Sequence, residues 1–375
     1  MRSKKKDVIL IILFGVFLGA FGLMYLVLPL QRFSVNEKRV LQSAPALTSR
    51  NLFNGKFGTD FETYLSDHFA LRDIFVGMNS YYDLGTGRNG VTGIYAGANG
   101  YLIETPVEYE QQNVDKNIEA IAKFSAEVGI RPDFMLVPSV GYIYDDKLPA
   151  LHFPYTDDKI IASIESALGE SVDPVDLIQP LKAGKDEEQL YFKTDHHWTG
   201  RGAYVAYQAY CAEKKLQPVS MDRFRVQAES GFYGTTYSRS ALWLSGPDTI
   251  ELFWDKSDPK FRVEIPDNKK TYDSLFFLSH LNEPDKYPVY LDGNHGYEKI
   301  TNKSAKGGKL LLIKDSYAHA IVQFLAENYS EIYMVDMRYY RESLTELVKE
   351  NGIDSILFLY GVNNFVNDTG LPLMK

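Results

Sequence analysis

The chain carries an acidic residue and two histidines side by side in the segment YFKTDHHWTGRGAY, residues 191–204. Asp195 and His197 are two residues apart, so their side chains would share one face of an extended segment. The Asp195 carboxylate could then hold the N–H of His197 and fix the tautomer of its ring, as in the base half of a catalytic triad. Alternatively, the two histidines form a solvated or capping cluster beside a core Trp198. On an extended segment His196 would point to the opposite face, and we expect it to be structural.

A candidate nucleophile follows an apolar run later in the chain. In KLLLIKDSYAHA, residues 309–320, a predicted buried strand ends and Ser316 comes just before a predicted helix. Nucleophiles collect at the carboxyl ends of parallel strands, where nearby backbone N–H groups can receive an oxyanion. The alternative is that Asp315 or Ser316 only caps the helix. Together with Asp195 and His197, Ser316 would complete a triad, because triad members meet in space rather than along the chain.

Short apolar runs and amphipathic helices alternate through most of the chain. This alternation predicts an α/β fold with a parallel sheet covered by helices on both faces. The clearest stretch lies in the last 70 or so residues, where predicted strands 309–313, 331–335 and 355–360 are separated by predicted helices 317–328 and 341–350.

The middle of the chain gives a weaker version of the same pattern. A helix is predicted over 112–128, before a strand over 134–137, and another over 199–214 with Thr199 as its N-cap. Residues 217–307 are aromatic and rich in turn residues, and we interpret them as an insertion or small β subdomain against the α/β body.

The first 30 residues differ from the rest. Residues 8–28 carry no charge, and a bilayer span needs about 20 such residues. Because Arg2 and three lysines at 4–6 precede this run, the positive-inside rule predicts a cytoplasmic N-terminus and an extracytoplasmic remainder. A cleaved signal peptide is the alternative, although the run is longer than the roughly 7 to 15 residues of a signal core and no small-residue cleavage site follows it.

After this anchor, residues 1–30, we expect a stalk over residues 31–50 and one large domain over residues 51–375. Apolar residues at helical spacing then predict an amphipathic helix that packs onto the main body. They are Phe57, Phe61, Tyr64, Leu65 and Phe69.

Composition and charge narrow the class of protein. Of the 375 residues, 45% are hydrophobic and 24% charged, a balance that excludes a disordered, collagenous or polytopic membrane protein. The net charge is −9 although residues 1–30 are basic, so the remainder is acidic and offers no general footprint for nucleic acid or anionic lipid. Cys211 is the only cysteine, which excludes an intrachain disulfide and a thiolate zinc site.

Three segments together resemble a known family. TDHHWT at 194–199, KDSY at 314–317 and FETYLSDHFALRD at 61–73 look like the motifs of the DHHW proteins. That family resembles the AlgJ/AlgX-type polysaccharide O-acetyltransferases of the SGNH hydrolase-like superfamily, and the resemblance covers roughly residues 51–364. Plain SGNH hydrolases place the serine first, whereas here the acid and base precede it, as in the alginate proteins.

The resemblance implies an SGNH-hydrolase-like sheet flanked by helices and a triad of Ser316, His197 and Asp195. It implies that an acetyl-serine intermediate passes its acetyl group to a cell-surface or secreted polysaccharide. Because acetyl-CoA is not available outside the membrane, it also implies a membrane-bound O-acyltransferase partner as acetyl donor. No metal and no cofactor are expected.

Further candidates for contact with the oxyanion or substrate are Tyr317, Trp198, Arg338 and Asn364. The resemblance leads us to expect an arginine after the strand that follows the nucleophile helix, and Arg338 in VDMRYY matches this loosely. Asn364 follows another strand end in LYGVNNF, although a simple turn is the alternative there.

Three other functions remain open. An esterase would use the same triad with water as the acceptor. A surface scaffold or polysaccharide-binding protein would keep the fold without the chemistry. A metal site on Asp195, His196 and His197 is the weakest of the three, because the other histidines show no ligand spacing with them.

Overall fold

The computed structural model describes residues 4–266 and 269–375. The chain forms two compact units, a first that extends to Arg88 and includes Ala241–Trp243, and a second formed by Asn89–Ser240 and Leu244–Lys375. The boundaries predicted after residues 30 and 50 stay a prediction.

The first unit contains four helices and a short strand pair among its described residues. The helices are α1 Lys4–Val27, α2 Ser49–Phe53, α3 Lys56–Asp67 and α4 Arg72–Gly85, and the strands are β1 Phe33–Ser34 and β2 Arg39–Val40. Helix α1 is long and apolar enough over Lys5–Tyr25 to cross a membrane, and none of the residues in its apolar window is fully buried. It therefore fits a single-pass membrane anchor.

Helix α3 forms where the apolar spacing predicts it, but its apolar face is not buried. Asp67 is the one buried residue of α3, and its carboxylate pairs with the guanidinium groups of Arg39 and Arg72. Phe61 and Leu65 each keep 41% of their surface exposed. Within the first unit α3 therefore buries its ion pair rather than its apolar face, and the packing of that face onto the main body stays a prediction.

The second unit is built on a large sheet. Its strands and those of two smaller sheets are β3 Gly90–Val91, β4 Ile94–Ala96, β5 Leu102–Glu104, β6 Asp133–Val137, β7 Asp173–Pro174, β8 Phe224–Phe232, β9 Asp248–Asp255, β10 Phe261–Ile265, β11 Lys270–Tyr272, β12 Tyr297–Asn302, β13 Gly307–Lys314, β14 Tyr329–Val335 and β15 Ser355–Gly361. Within the described residues the large sheet has the strand order β11-β10-β12-β14-β13-β15-β6-β7. Strands β3, β4 and β5 form one small sheet, and β8 pairs with β9 in another.

Helices alternate with these strands. They are α5 Gln111–Val128, α6 Val140–Ile143, α7 Asp157–Leu168, α8 Ile178–Gly184, α9 Gly200–Lys214, α10 Thr235–Ser240, α11 Ala318–Leu325, α12 Leu344–Asn351 and α13 Val362–Asn367. The predicted alternation of β13, α11, β14, α12 and β15 is confirmed with small shifts of the ends. The Thr199 side chain accepts the N–H of Gly202, which confirms it as the N-cap of α9.

The large sheet is mixed rather than wholly parallel. Strands β14, β13, β15, β6 and β7 are parallel, whereas β12 pairs antiparallel with β14 and continues to β10 and β11. The prediction of a purely parallel sheet was therefore wrong at this edge. Part of region 217–307, interpreted as an insertion, supplies these antiparallel strands, which cover the edge of β14 that would otherwise be unpaired.

Both faces of the sheet are buried around the strand that leads to the candidate nucleophile. In β13, Leu310 and Leu312 join one apolar cluster, while Leu311 and Ile313 join the cluster on the opposite face. Burial on both faces is typical of parallel strands covered by helices. Packing on both faces holds β13 in position, and the turn at residues 315–317 follows directly from the end of this strand.

We predict that Gly202→Ala lowers the stability of the second unit. An added Cβ at Gly202 would lie 2.1 Å from the Leu190 carbonyl oxygen, so backbone must shift. Overpacking of this kind costs about 1–3 kcal/mol, which corresponds to a loss of several degrees in Tm in a thermal unfolding scan. Gly246→Ala is the matched control, because nothing lies within 4 Å of its added Cβ. Equal Tm values for the two variants would contradict the packing described for α9.

Candidate active site

Ser316 lies in a tight turn between the end of β13 and the start of α11, and only 9% of its surface is exposed. The buried carboxylate of Asp315 holds this turn. It accepts the backbone N–H groups of Tyr317 and Gly361 at 2.9 and 2.8 Å and the side-chain amide of Asn364 at 2.7 Å. Asp315 therefore ties the turn to the end of β15. Tyr317, rather than Ser316, is the N-cap residue of α11, so the Ser316 hydroxyl is not a helix cap.

The structure brings Ser316, His197 and Asp195 together in one line of hydrogen bonds. The Ser316 Oγ lies 2.7 Å from Nε2 of His197, and Nδ1 of His197 lies 2.5 Å from Oδ1 of Asp195. An ionised carboxylate can only accept, so Nδ1 carries the ring proton. The unprotonated Nε2 is then the acceptor for the Ser316 hydroxyl, which is the arrangement that deprotonates a serine as it attacks.

The Asp195 carboxylate is buried, and both of its oxygens accept hydrogen bonds. Besides the ring of His197 it accepts the backbone N–H groups of His197 and Thr235, at 2.9 and 2.7 Å. Burial alone would raise the pKa of Asp195, but the imidazoles of His197 and His196 and these hydrogen bonds hold that pKa well below its usual range. Asp195 is therefore an anion that keeps His197 in one tautomer and one orientation.

The imidazole of His197 is kept neutral by its surroundings. Burial and the neighbouring His196 lower the pKa of His197 from 6.5 to about 4, although Asp195 acts in the opposite direction. A neutral imidazole is the form that can accept a proton from Ser316.

The segment that carries the base is bent rather than extended. Tyr191 and Trp198 form an antiparallel bridge, and the N–H of Phe192 donates to the carbonyl of His197. The His196 ring consequently lies beside the His197 ring, with centroids 3.9 Å apart, and its Nδ1 bonds the Thr235 hydroxyl. The expectation that His196 points to the opposite face was wrong, because it assumed extended backbone.

Two residues that sequence reasoning missed hold this bend in place. The Asp248 carboxylate accepts the backbone N–H groups of Lys193 and Thr194 and the Thr194 hydroxyl. Gly234 packs so closely that an added Cβ would lie 2.1 Å from the Cβ of Asp195. Both are distant in sequence from the DHHW segment, and no local pattern marks them.

A third missed residue, Tyr287, contacts both His197 and Ser316. Its buried ring stacks on His197, with centroids 4.1 Å apart and planes at 13°, and its hydroxyl donates to the backbone carbonyl of Ser316 at 3.1 Å. Tyr287 lies in the region 217–307, whose richness in aromatic residues was the one signal that it gave.

Two of the four secondary candidates join the base segment to the nucleophile turn. The buried Trp198 donates its indole N–H to the carbonyl of Tyr317, and the Tyr317 hydroxyl donates to the carbonyl of His196. Asn364 is bonded to Asp315, as described above.

Arg338 is held elsewhere. Its guanidinium pairs with Asp336 and donates to the side-chain oxygen of Asn294. Among the described residues none of its hydrogen bonds reaches the Ser316–His197–Asp195 line.

The same groups could in principle hold a metal ion. One ligand atom each from Asp195, His196 and His197 lies within 4.8 Å of the others. However, both nitrogens of His197 already bond Asp195 and Ser316, and Nδ1 of His196 bonds Thr235. The geometry therefore suits proton transfer to and from Ser316 better than metal binding.

One backbone donor, the N–H of the candidate nucleophile Ser316, is available for an oxyanion. Within residues 4–266 and 269–375 the N–H of Ser316 donates to no acceptor, while the N–H groups of Tyr317 and Gly361 are used by Asp315. An N–H at the nucleophile itself is a common donor to the tetrahedral intermediate of acyl transfer.

Comparison with known proteins gives relatives by sequence and by structure. The chain is 26% identical over 193 residues to a probable alginate O-acetylase AlgJ of Pseudomonas syringae pv. tomato, covering 47% of this chain and 48% of that protein. A probable alginate O-acetylase AlgJ of Azotobacter vinelandii is 22% identical over 162 residues, or 41% and 42% of the two chains. The chain thus spans about half the length, or less, of these curated relatives.

Two solved structures share the fold. A DHHW family protein from Eubacterium siraeum superposes with a TM-score of 0.66 at 24% identity, over 76% of this chain and 95% of that one. Bacillus cereus PatB1 with a sulfonyl adduct gives a TM-score of 0.63 at 20% identity, over 74% and 97%. The family model described as DHHW protein matches residues 133–335, more than half of the chain. The chain therefore belongs to the DHHW protein family.

Proposed function

We propose that the chain is an O-acetyltransferase that modifies a cell-surface or secreted polysaccharide through an SGNH-hydrolase-like catalytic domain. The observation that carries this proposal is the buried line of hydrogen bonds from Asp195 through His197 to Ser316. The similarity to proteins named as probable alginate O-acetylases supports acetyl as the group transferred and a polysaccharide as the acceptor.

In the first half of the reaction Ser316 Oγ attacks the acetyl carbonyl of the donor while His197 Nε2 takes the hydroxyl proton. The negatively charged oxygen of the tetrahedral intermediate accepts the free N–H of Ser316, and Asp195 stabilises the imidazolium. As the intermediate collapses, the bond to the donor breaks and His197 returns its proton to the leaving oxygen. The product is acetyl-Ser316 and a neutral His197.

In the second half a sugar hydroxyl attacks acetyl-Ser316. His197 accepts the hydroxyl proton, a second tetrahedral intermediate forms, and its collapse releases the acetylated sugar. The proton passes back to Ser316 Oγ, which restores the starting state. In this account Tyr287, Trp198 and Tyr317 position the base and nucleophile, and Asn364 and Asp315 position the turn.

The same proposal includes a location and a partner. Helix α1 would span the membrane with its basic end in the cytoplasm, and the catalytic unit would face outward. Because acetyl-CoA is a cytoplasmic donor, the acetyl group would have to be handed across the membrane by a membrane-bound O-acyltransferase. That partner is inferred from the family resemblance and the proposed topology.

We predict that Ser316→Ala and His197→Ala each reduce acyl transfer by at least about 10³-fold with folding unchanged, because each removes a member of the triad. Asp195→Asn should be severe but leakier, since the ring loses its orienting anion. Turnover of a chromogenic acetyl ester measures the rate, and a thermal unfolding scan checks the fold. His196→Ala is the control and should lose less than about tenfold, because His196 does not bond Ser316. A Ser316→Ala protein that turns over the acetyl ester at the wild-type rate would contradict the assignment of Ser316 as the nucleophile.

A second prediction separates transfer from hydrolysis. The full-length protein should hydrolyse a chromogenic acetyl ester slowly, because acetyl-Ser316 reacts with water when no sugar is bound. An oligosaccharide acceptor should divert acetyl onto its hydroxyls, since a bound hydroxyl has an effective concentration far above that of a free one. Mass spectrometry of the oligosaccharide measures the gain, and Ser316→Ala is the control.

Other outcomes would favour the alternative functions. Release of acetate from a pre-acetylated polymer, with no transfer to any acceptor, would favour an esterase. Polymer binding without turnover of any ester and without a covalent acetyl on Ser316 would favour a scaffold.

A further inference from the structure

The apolar face of helix α4 is exposed at the surface of the protein. Its exposed apolar residues, together with Leu71 just before it, recur at helical spacing on one face. They are Leu71, Ile74, Phe75, Met78 and Tyr82, with Met78 61% exposed and Tyr82 69% exposed. We call these five residues the α4 apolar stripe. A helix on the surface of a soluble domain normally buries such a stripe.

The opposite face of α4 is the one that protein covers. The buried residues of α4 are Gly77 and Ser80, and an added Cβ at Gly77 would lie 3.3 Å from the Trp243 ring. Arg72, at the start of the helix, pairs with Glu37 at 2.9 Å. Small and charged side chains of α4 therefore contact the rest of the first unit, while the α4 apolar stripe is exposed.

Other large apolar side chains of the first unit, in α2, in α3 and between α3 and α4, are exposed as well. Phe53 is 89% exposed, and Phe61, Leu65 and Phe69 are each more than 40% exposed. Phe69 joins the α4 apolar stripe through Phe75, since the two ring centroids lie 5.8 Å apart. Grouped exposed apolar side chains on a soluble protein mark a contact surface.

Contacts with helix α1 indicate what this surface meets. The Phe21 ring stacks on Phe69, with centroids 5.2 Å apart and planes at 7°, and lies 5.7 Å from the Phe75 ring. The Tyr25 and Tyr64 side chains also interact. Phe21 is four residues, or about 6 Å along the axis, inside the end of the membrane-length stretch Lys5–Tyr25. If α1 spans a bilayer, Phe69 and Phe75 lie at the depth of its acyl chains.

We infer that α3 and α4 lie in the outer leaflet of the membrane, with the α4 apolar stripe among the lipid acyl chains and the charged face of α4 turned away from them. The partner is the lipid bilayer itself. Amphipathic helices that lie in a membrane surface insert about 5–10 Å into the boundary between headgroups and acyl chains, which agrees with the level of Phe21. The inference goes beyond acetyl transfer and rests on the part of the proposed function in which α1 spans the membrane with its basic end in the cytoplasm.

Collision accessibility of nitroxide spin labels tests this surface. Full-length protein in lipid nanodiscs carries one label at a time, at Ile74→Cys or Met78→Cys, in a Cys211→Ala background. Oxygen, which concentrates in acyl chains, should relax these labels more than a water-soluble nickel complex does. The matched control is Thr63→Cys, because Thr63 is exposed on the polar side of α3 and its label should favour the nickel complex. Leu13→Cys reports on α1 itself.

The outcomes distinguish this inference from the anchor proposal. Labels at 74 and 78 that behave like the label at 63, with the label at 13 in lipid, would overturn the inference and leave the anchor in place. A label at 13 that favours nickel would instead overturn the anchor, and the inference with it. Labels at 74 and 78 shielded from both reagents would mean that protein covers the stripe, which also overturns it. Should a cysteine variant not fold, quenching of Met78→Trp fluorescence by brominated acyl chains gives the same readout.

Discussion

The arrangement of Ser316, His197 and Asp195 depends on one buried anion, the carboxylate of Asp195. An ionised carboxylate inside a protein is stable only when its oxygens are hydrogen-bonded, and here two backbone N–H groups and one imidazole N–H supply those bonds. Because the ring N–H is one of the donors, satisfying the carboxylate also fixes the tautomer of His197. The hydrogen bond from Ser316 to Nε2 follows from that choice.

The nucleophile turn is organised by a second buried carboxylate with a different task. Asp315 is directed at backbone and amide donors that join β13 to β15, and it makes no bond to His197. Burial raises the pKa of Asp315, whereas the pKa of Asp195 lies below its ordinary value. Asp315 therefore holds the turn at residues 315–317, whereas Asp195 orients the ring of His197. Tyr287 then connects the two halves, since it stacks on His197 and bonds the backbone of Ser316.

Local patterns in the sequence predicted much of the fold and the three central side chains. The alternation of strands and helices after residue 309 is a short-range signal. Residue chemistry made Ser316, His197 and Asp195 candidates, and the resemblance to the DHHW proteins assigned them to a triad. The supporting residues Asp248, Gly234 and Tyr287 could not be found in this way, because their contacts join parts of the chain that are far apart in sequence. The exposed side of α3 shows a different limit, since an apolar helical stripe looks the same in sequence whether protein or lipid covers it.

The protonation state of His197 tests the central claim most directly. Nitrogen NMR of protein labelled at its histidine ring nitrogens, with His197→Gln to assign the signals, reports which ring nitrogen carries the proton at each pH. We predict a proton on Nδ1 and none on Nε2 from neutral pH downward, until the ring titrates with a pKa of about 4. A His197 that titrates at about 6.5, as an exposed histidine does, or that carries its proton on Nε2, would contradict the account.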